Sequence, residues 1–247
     1  MLLEDKTIVL TGCNRGIGLS TLRLLAINGA SVWACVRKPD NQFLRAVDEI
    51  TLETGSKITP VYFDLSDFRE VKVGAKKILA DKLAIDVLIN NAGSIFTGPA
   101  VLTSIDKVTE MFNINFASQM LFTQYLMRNM MKNRSGCIVN VSSSAAIEGN
   151  EGRLAYAASK AAIISATKVL SRELGQYNIR VNAIAPGLTD TDMMTSSTDP
   201  DVLVETLKQV GLGRVASPEE IAKVILFLAS DLSSYVTGQV IRVDGGM

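Results

Sequence analysis

A tyrosine and a lysine four positions apart are the side chains in this sequence best suited to acid–base chemistry. Tyr156 and Lys160 interrupt "RLAYAASKAAII" (153–164), a stretch that otherwise holds mostly small apolar residues. On a helix, positions i and i+4 lie on the same face. A free phenol has a pKa near ~10, and a nearby cation favours its ionised form. The spacing therefore predicts a phenol that exchanges a proton near neutral pH, with Lys160 supplying the positive field.

The amino-acid composition excludes several competing chemistries. The 247-residue chain contains no histidine, which rules out Ser-His-Asp and Cys-His catalysis and every His-ligated metal. The three cysteines are scattered and form no CxxC pair, so we predict no metal site and interpret them as small core residues. Any general acid or base must then be Tyr, Lys, Asp, Glu or Cys, which directs attention back to Tyr156.

Charge and hydropathy limit the partners and the location. Lys plus Arg and Asp plus Glu both number 25, so the net charge is zero. This balance predicts binding neither to nucleic acid nor to an anionic membrane. No apolar run reaches the ~18 residues of a spanning helix, and the N-terminus lacks the basic region of a signal peptide. We therefore expect a cytoplasmic protein.

Strand-like and helix-like segments alternate along the chain. The predicted strands read as continuous apolar runs, which is typical of parallel strands buried on both faces; they cover 6–11, 31–36, 58–63, 85–90, 136–142, 179–185 and 238–243. Helical patterns cover 17–28, 40–54, 67–83, 104–132, 155–177 and 218–230. The alternation predicts an α/β fold with a doubly wound, seven-stranded parallel sheet, helices on both faces and one domain over 1–247.

One polar segment departs from this alternation. Residues 187–214 are rich in Thr and Ser, follow a strand and exceed the usual length of a loop between a strand and a helix. We interpret 187–214 as a substrate lid. The alternative is an ordinary exposed insertion with one short helix around 201–209.

A glycine-rich turn predicts a dinucleotide site. "TGCNRGIG" (11–18) follows the first strand and opens the first helix, with Gly12, Gly16 and Gly18 in G-x-x-x-G-x-G spacing. Such glycines allow a tight turn and close backbone approach to a pyrophosphate, which then lies at the helix N-terminus.

The end of the second strand bears on which dinucleotide is bound. NAD sites place an acid there, whereas this chain has Val36 followed by Arg37, and Arg15 lies in the glycine turn. Guanidinium groups suit a 2′-phosphate, so we favour NADP(H); the alternative is that Arg37 belongs to a solvated loop. Asp64, after the third strand, could accept from the adenine amino group or cap a helix.

Together these motifs resemble the short-chain dehydrogenase/reductase family over essentially the whole chain. The shared motifs are "TGCNRGIG" (11–18), "NNAG" (90–93), Asn115 in "FNINFAS", Ser143 in "VSSSAA", "YAASK" (156–160), "PG" (186–187) and "VTGQVIRVDGG" near the C-terminus. The resemblance implies a Rossmann-type fold, hydride transfer with a nicotinamide cofactor and a homotetramer. It implies further cofactor contacts from Asn14, Ile17, Leu65, Asn91, Ala92, Gly93, Pro186, Gly187 and Thr189, besides Tyr156 and Lys160.

The resemblance also implies a catalytic tetrad of Asn115, Ser143, Tyr156 and Lys160. Tyr156 would protonate a substrate carbonyl oxygen, and Ser143 would hydrogen-bond the same oxygen. Lys160 would also hold the nicotinamide ribose. Asn115 would expose a backbone carbonyl to a water molecule in a proton relay.

The side chains near the expected pocket leave more than one substrate class open. The nearest branch of the family comprises 3-oxoacyl-[acyl-carrier-protein] reductases, whose basic residues dock an acidic carrier protein. Arg134 matches one such position, but Tyr177 stands where a second cation is common. Glu148 and Glu151, beside the expected pocket, would suit a hydroxylated substrate instead. The alternatives are another small ketone, sugar or cyclic alcohol, and a non-catalytic NADP-binding sensor.

Overall fold

A computed structural model describes all 247 residues and contains one parallel sheet of seven strands. The strands are β1 (Thr7–Thr11), β2 (Ser31–Val36), β3 (Ile58–Tyr62), β4 (Val87–Asn90), β5 (Gly136–Val141), β6 (Ile179–Pro186) and β7 (Val240–Val243). Their order in the sheet is β3-β2-β1-β4-β5-β6-β7, and every neighbouring pair is parallel. The predicted fold class is confirmed. The strand order reverses between β1 and β4, where doubly wound sheets open a crevice for ligands.

Helices cover both faces of the sheet. They are α1 (Gly16–Ile27), α2 (Asn41–Thr54), α3 (Phe68–Ala80), α4 (Ile105–Phe112), α5 (Ser118–Asn133), α6 (Ala145–Glu148), α7 (Leu154–Leu174), α8 (Asp192–Ser197), α9 (Pro200–Leu207) and α10 (Pro218–Ala229). One hydrophobic core contains Leu22 and Ile225 from α1 and α10, and a second contains Phe122 and Leu174 from α5 and α7. Each helix layer buries its apolar stripe against one face of the sheet.

Two helices differ from the sequence prediction in detail. The single helix expected over 104–132 contains a π-helical turn, Asn113–Ala117, where the amide of Ser118 donates to the carbonyl of Asn113. Such turns insert one residue into an α-helix and occur frequently at functional sites. The helix expected over 155–177 ends at Leu174 and continues as a 3₁₀ turn over Gly175–Tyr177.

The 187–214 segment contains two short helices, rather than the single helix around 201–209 that the insertion alternative predicts. Thr191 caps α8 by accepting from the amide of Met194, and Asp199 caps α9 by accepting from the amide of Asp201. Pro200 at the first position of α9 cannot extend a preceding helix, so the segment breaks there. No side chain of α8 or α9 is buried.

The interior of the sheet is held by polar side chains as well as apolar ones. The side-chain amide of Asn90 donates to Thr123 Oγ1 and to Asn140 Oδ1, both at 2.9 Å. These buried bonds fix β4 to β5 and to α5 directly beneath the crevice. The three cysteines are free and buried, as predicted. None of the helices has the length and apolar character needed to cross a bilayer.

Candidate active site

A cleft of about 1380 Å³ runs along the carboxyl ends of the strands. Its walls come from the glycine turn, from the ends of β2 to β6, from the start of α7 and from the 187–214 segment. All predicted cofactor-binding residues line this cleft, and so do Ser143, Tyr156 and Lys160. Of the predicted site residues, Asn115 alone does not. The topology therefore brings together motifs that are up to about 175 positions apart in sequence.

The glycine turn forms a tight cradle before α1. Gly12 has a φ of +68°, and a Cβ on Gly18 would lie 1.9 Å from the carbonyl oxygen of Gly12. The side-chain amide of Asn91 donates to the carbonyls of Thr11 (3.0 Å) and Gly12 (2.9 Å), which fixes the turn to the end of β4. No side chain caps the first amides of α1. The uncapped backbone amides and the glycines, which have no Cβ atoms, leave space and hydrogen-bond donors for a pyrophosphate group.

The rim of this cradle carries cations and no acid at the end of β2. Arg37 is exposed and lines the cleft, while Val36, in the place of the usual acid, is buried. Arg15 Nη1 lies 3.2 Å from Asp192 Oδ2, and both side chains are largely exposed. The donor set therefore fits a phosphorylated ribose better than free ribose hydroxyls.

Asp64 lies in the cleft wall rather than at a helix start. Its Oδ1 accepts from the amide of Ser66 at 2.8 Å, whereas Asp67 caps α3 by accepting from the amide of Arg69. The helix-capping interpretation of Asp64 is therefore wrong, because Asp67 fills that role. One carboxylate oxygen of Asp64 is used in the local turn, and its predicted contact with the adenine amino group stays a prediction.

Tyr156 lies at the floor of the cleft and is only 9% exposed. Burial raises the pKa of its phenol, while a hydrogen bond from Ser143 and the positive charge of Arg153 partly offset that rise. The sequence had predicted a depressed pKa caused by Lys160. That prediction is wrong for this structure, because desolvation outweighs the favourable contacts and because the cation that acts on Tyr156 is Arg153.

Lys160 is buried at 3% exposure one helical turn beyond Tyr156. Its Nζ donates to the carbonyl of Val141 at 2.8 Å, at the end of β5. Burial lowers the pKa of Lys160 to about 8. Gly93 leaves room for this side chain, since a Cβ there would lie 3.2 Å from Lys160 Nζ. The ammonium group is thus held against the strand ends, where it also lines the cleft.

The three consecutive serines after β5 have different surroundings. Ser142 donates to the carbonyl of Lys160 at 2.8 Å and is buried, so its hydroxyl holds α7 to the sheet. Ser143 is half-buried and lines the cleft together with Tyr156, and its Oγ accepts from the amide of Ala145 at 3.2 Å. The resemblance assigns the catalytic role to Ser143, and that role stays a prediction.

Asn115 is fully buried in the π-helical turn and links two walls of the site. Its Nδ2 donates to the carbonyl of Ser94 (2.9 Å) and to Ser159 Oγ (3.0 Å), and its Oδ1 accepts from the amide of Ser94 (2.8 Å). The side chain therefore fixes the end of β4 to α7. The predicted role of its backbone carbonyl in a proton relay stays a prediction.

The end of β6 closes the opposite wall. Thr189 is buried, donates to the carbonyl of Gly187 at 3.1 Å and pairs with Ala216 in an isolated β-bridge. Pro186 and Gly187 line the cleft at the same strand end. This bridge anchors the start of the 187–214 segment.

Sequence reasoning missed Arg153 and the partner of Glu148. Arg153 lies three residues before Tyr156 and donates hydrogen bonds to both sides of the cleft mouth. Its position one helical turn before Tyr156 is the sequence feature that could have identified Arg153 as a residue of the site. Glu148, expected at the pocket, instead pairs with Arg242 Nη1 at 2.5 Å and lies outside the cleft lining, whereas Glu151 does line it.

Comparison with known proteins identifies the family. A family model described as enoyl-(acyl carrier protein) reductase, of the short-chain dehydrogenase/reductase type, matches residues 12–247. The chain belongs to the short-chain dehydrogenase/reductase family. Among its relatives is the 3-oxoacyl-[acyl-carrier-protein] reductase FabG of Chlamydia trachomatis, 43% identical over 248 residues, which span 100% of this chain and 98% of that protein. FabG of Thermotoga maritima is 41% identical over 251 residues, with 100% and 99% covered.

A solved structure of the same family agrees with the fold. A candidate NAD(P)-dependent gluconate 5-dehydrogenase from Beutenbergia cavernae, crystallised with NADP at low occupancy, has a TM-score of 0.93 and 34% identity. The match covers 99% of this chain and 97% of that one. Relatives in this short-chain dehydrogenase/reductase family thus include enzymes named for acyl and for sugar-acid substrates.

Proposed function

We propose that the protein is an NADPH-dependent reductase that converts a 3-oxoacyl thioester, carried on acyl carrier protein, to the 3-hydroxyacyl thioester. The observation that carries the proposal is the buried Tyr156, which lines the cleft together with Ser143 and with Lys160 one helical turn away. Full-length similarity to 3-oxoacyl-[acyl-carrier-protein] reductases supports the acyl substrate. A non-catalytic sensor would not need this acid–base group.

The residues around the cleft divide the work of binding and proton transfer. NADPH, when bound, supplies the hydride. The hydroxyls of Ser143 and Tyr156 bind the ketone oxygen, and Tyr156 donates its proton to that oxygen as negative charge develops. The raised pKa of Tyr156 keeps the phenol protonated, which suits the role of an acid. Lys160, held on Val141, supplies a cation beneath the same site.

The glycine turn and its rim would hold the cofactor. The backbone of the turn and the amides of α1 would take the pyrophosphate, and Arg15 and Arg37 would take the 2′-phosphate. Asp64, Leu65 and the residues at the ends of β4 and β6 would line the remainder. Binding of NADPH and NADH to the wild-type protein, followed by tryptophan fluorescence or calorimetry, tests this preference without turnover.

An assay with acetoacetyl thioesters tests the reaction itself. We expect NADPH oxidation with acetoacetyl-acyl-carrier-protein and a drop of about 10³-fold in kcat for Tyr156→Phe, since the proton donor is lost. NADPH affinity should stay within about twofold of wild type. A Tyr156→Phe variant that retains the wild-type rate would refute the acid role. No oxidation with any acyl thioester would refute the substrate.

A second candidate reaction uses another small ketone, such as a sugar acid. One observation favours it: the Arg134 guanidinium lies 5.9 Å from the ring centroid of Tyr177 and donates to the carbonyl of Gln176 at 2.9 Å. Of the two basic residues that would dock a carrier protein, this chain therefore has only Arg134, and its guanidinium already contacts neighbouring residues of the same chain. Equal kcat/KM for carrier-bound and free pantetheine thioesters, together with turnover of a keto sugar acid, would favour this reading.

We propose one catalytic domain over residues 1–247, with the 187–214 segment as substrate lid, a homotetramer that packs through α4, α5 and α7, and a cytoplasmic location. Sedimentation velocity tests the tetramer.

A further inference from the structure

Arg153 joins both sides of the cleft mouth, one turn before Tyr156. Its Nη1 donates to Thr97 Oγ1 at 2.5 Å, on the segment that follows β4. Its Nη2 donates to the carbonyl of Ser197 at 2.8 Å and to Thr198 Oγ1 at 3.1 Å, between α8 and α9. The guanidinium is half-buried, so these bonds are only partly screened by water. One planar fork therefore spans the gap between the two walls.

The outer part of the 187–214 segment depends on very few other contacts. α8 and α9 bury no side chain. Their hydrogen bonds to the rest of the protein are the Arg153 fork, a bond from Thr97 Oγ1 to the carbonyl of Ser197 at 3.2 Å, and the exposed Arg15–Asp192 pair. Two of these three attachments meet at Ser197. The segment is thus held over the substrate end by polar contacts centred on one arginine.

We propose that Arg153 is a positioning residue that fixes α8 and α9 over the substrate end of the cleft and places a permanent positive charge beside the phenol of Tyr156. Removing Arg153 should therefore have two separable effects, one on the segment and one on the proton transfer. The first does not depend on the reaction. The second rests on the proposed function.

The two effects arise from different properties of the side chain. The fork needs planar geometry and several donors, which lysine lacks. The effect on the phenol needs only charge, and the positive charge of Arg153 lowers the pKa of Tyr156 against the rise caused by burial. The other charged side chains that line the cleft with the phenol are Lys160 on α7, Glu110 on α4, Glu151 before α7, Asp192 and Asp199 on the 187–214 segment, and Arg15, Arg37, Lys38, Asp40 and Asp64 around the glycine turn and the ends of β2 and β3. Those groups are unchanged when Arg153 is replaced.

Hydrogen exchange tests the first effect. We expect amides of 191–207 to exchange about tenfold faster in Arg153→Gln and in Arg153→Lys, because charge-assisted bonds of the fork are lost. Thr198→Val, which removes one acceptor and keeps the arginine, should give a smaller increase. Arg172→Gln is the matched control: Arg172 lies exposed on the same helix and makes no hydrogen bond there. Unchanged exchange over 191–207 in Arg153→Gln would overturn the anchoring role.

The pH dependence of kcat tests the second effect. The phenol must be protonated to act as an acid, so the alkaline limb should move to higher pH in Arg153→Gln, where the charge that lowers the pKa of Tyr156 is gone. The limb should stay in place in Arg153→Lys and in Thr198→Val, while KM rises in both because the segment is loosened. A limb that does not move in Arg153→Gln would overturn the electrostatic role. A protein without reductase activity would remove this readout and refute the proposed function, but the exchange experiment would still decide the anchoring.

Discussion

The two ends of the cleft are built in opposite ways. At the cofactor end, the walls are strand ends, a glycine turn and buried side chains such as Lys160 and Thr189. At the substrate end, α8 and α9 bury no side chain and are attached through a few polar bonds. Regions with little buried apolar surface open at low free energy. Under the proposed function, the fixed end would hold the cofactor and the loosely attached wall would adapt to the substrate, so the 187–214 segment is where specificity should be engineered.

Gly18→Ala, which adds one methyl group, should disturb the structure of the cofactor end more than any other substitution proposed below. A Cβ there would meet the carbonyl oxygen of Gly12 at 1.9 Å, and backbone must shift to relieve the clash. We expect Gly18→Ala to lower the unfolding free energy by about 3 kcal/mol or more and to abolish NADPH binding. The measurements are urea unfolding and calorimetry.

Gly175→Ala provides the matched control for that substitution. A Cβ at Gly175 meets nothing within 4 Å, and its φ is −55°, so alanine fits without strain. Its stability should stay within about 0.5 kcal/mol of wild type. Equal stability losses in the two variants would show that the turn is not the constrained element that its geometry indicates.

Sequence reasoning succeeded where residue type alone dictates geometry. The glycine turn follows from local spacing, and the buried strands follow from hydropathy. Sequence reasoning failed where tertiary packing determines the surroundings of a side chain. Nothing in the sequence shows that desolvation of Tyr156 outweighs the cations near it, that Glu148 turns away to Arg242, or that Arg153 bridges the cleft. Each of these depends on partners about 40 to 100 positions away or on burial, and short-range patterns carry neither.

The buried ammonium of Lys160 should make stability depend on pH. Burial lowers its pKa to about 8 in the folded state, against an ordinary value of 10.5. Between these values the unfolded chain binds the proton more strongly, so the folded state gains stability as pH rises through this window. Below about pH 8 the buried charge destabilises the fold by on the order of 3 kcal/mol.

Lys160→Met isolates this contribution at the fixed end of the cleft. Methionine is uncharged at every pH, so the stability of wild type relative to Lys160→Met should rise by up to about 3 kcal/mol between pH 7 and pH 10.5. Chemical unfolding of both proteins at several pH values measures the difference. A difference that stays constant with pH would mean that the ammonium is solvated rather than buried.

At the rim of the cofactor end, Arg37 should discriminate between the two nicotinamide dinucleotides. Arg37→Ala removes an exposed guanidinium that is proposed to bind the 2′-phosphate. We expect NADPH affinity to fall about tenfold and NADH affinity to stay unchanged. Lys38→Ala is the control, since Lys38 lines the same rim and carries the same charge. Equal losses for both cofactors in Arg37→Ala would contradict the preference for NADP.

The smallest effect should come from the one ion pair that connects the two ends. Arg15 of the glycine turn and Asp192 of α8 lie 3.2 Å apart, and their side chains are 65% and 72% exposed. Exposed pairs of this kind contribute about 1 kcal/mol or less. Asp192→Asn should therefore leave the unfolding free energy within about 0.5 kcal/mol of wild type.

Asp192→Asn should also free Arg15 for the cofactor, so that NADPH binds slightly more tightly while the affinity for NADH does not change. Calorimetric titration of both cofactors at low and high salt checks this, because screening should erase the difference. If Asp192→Asn instead accelerates hydrogen exchange over 191–207 as much as Arg153→Gln does, the segment is anchored from the cofactor end and the two halves of the cleft are not independent.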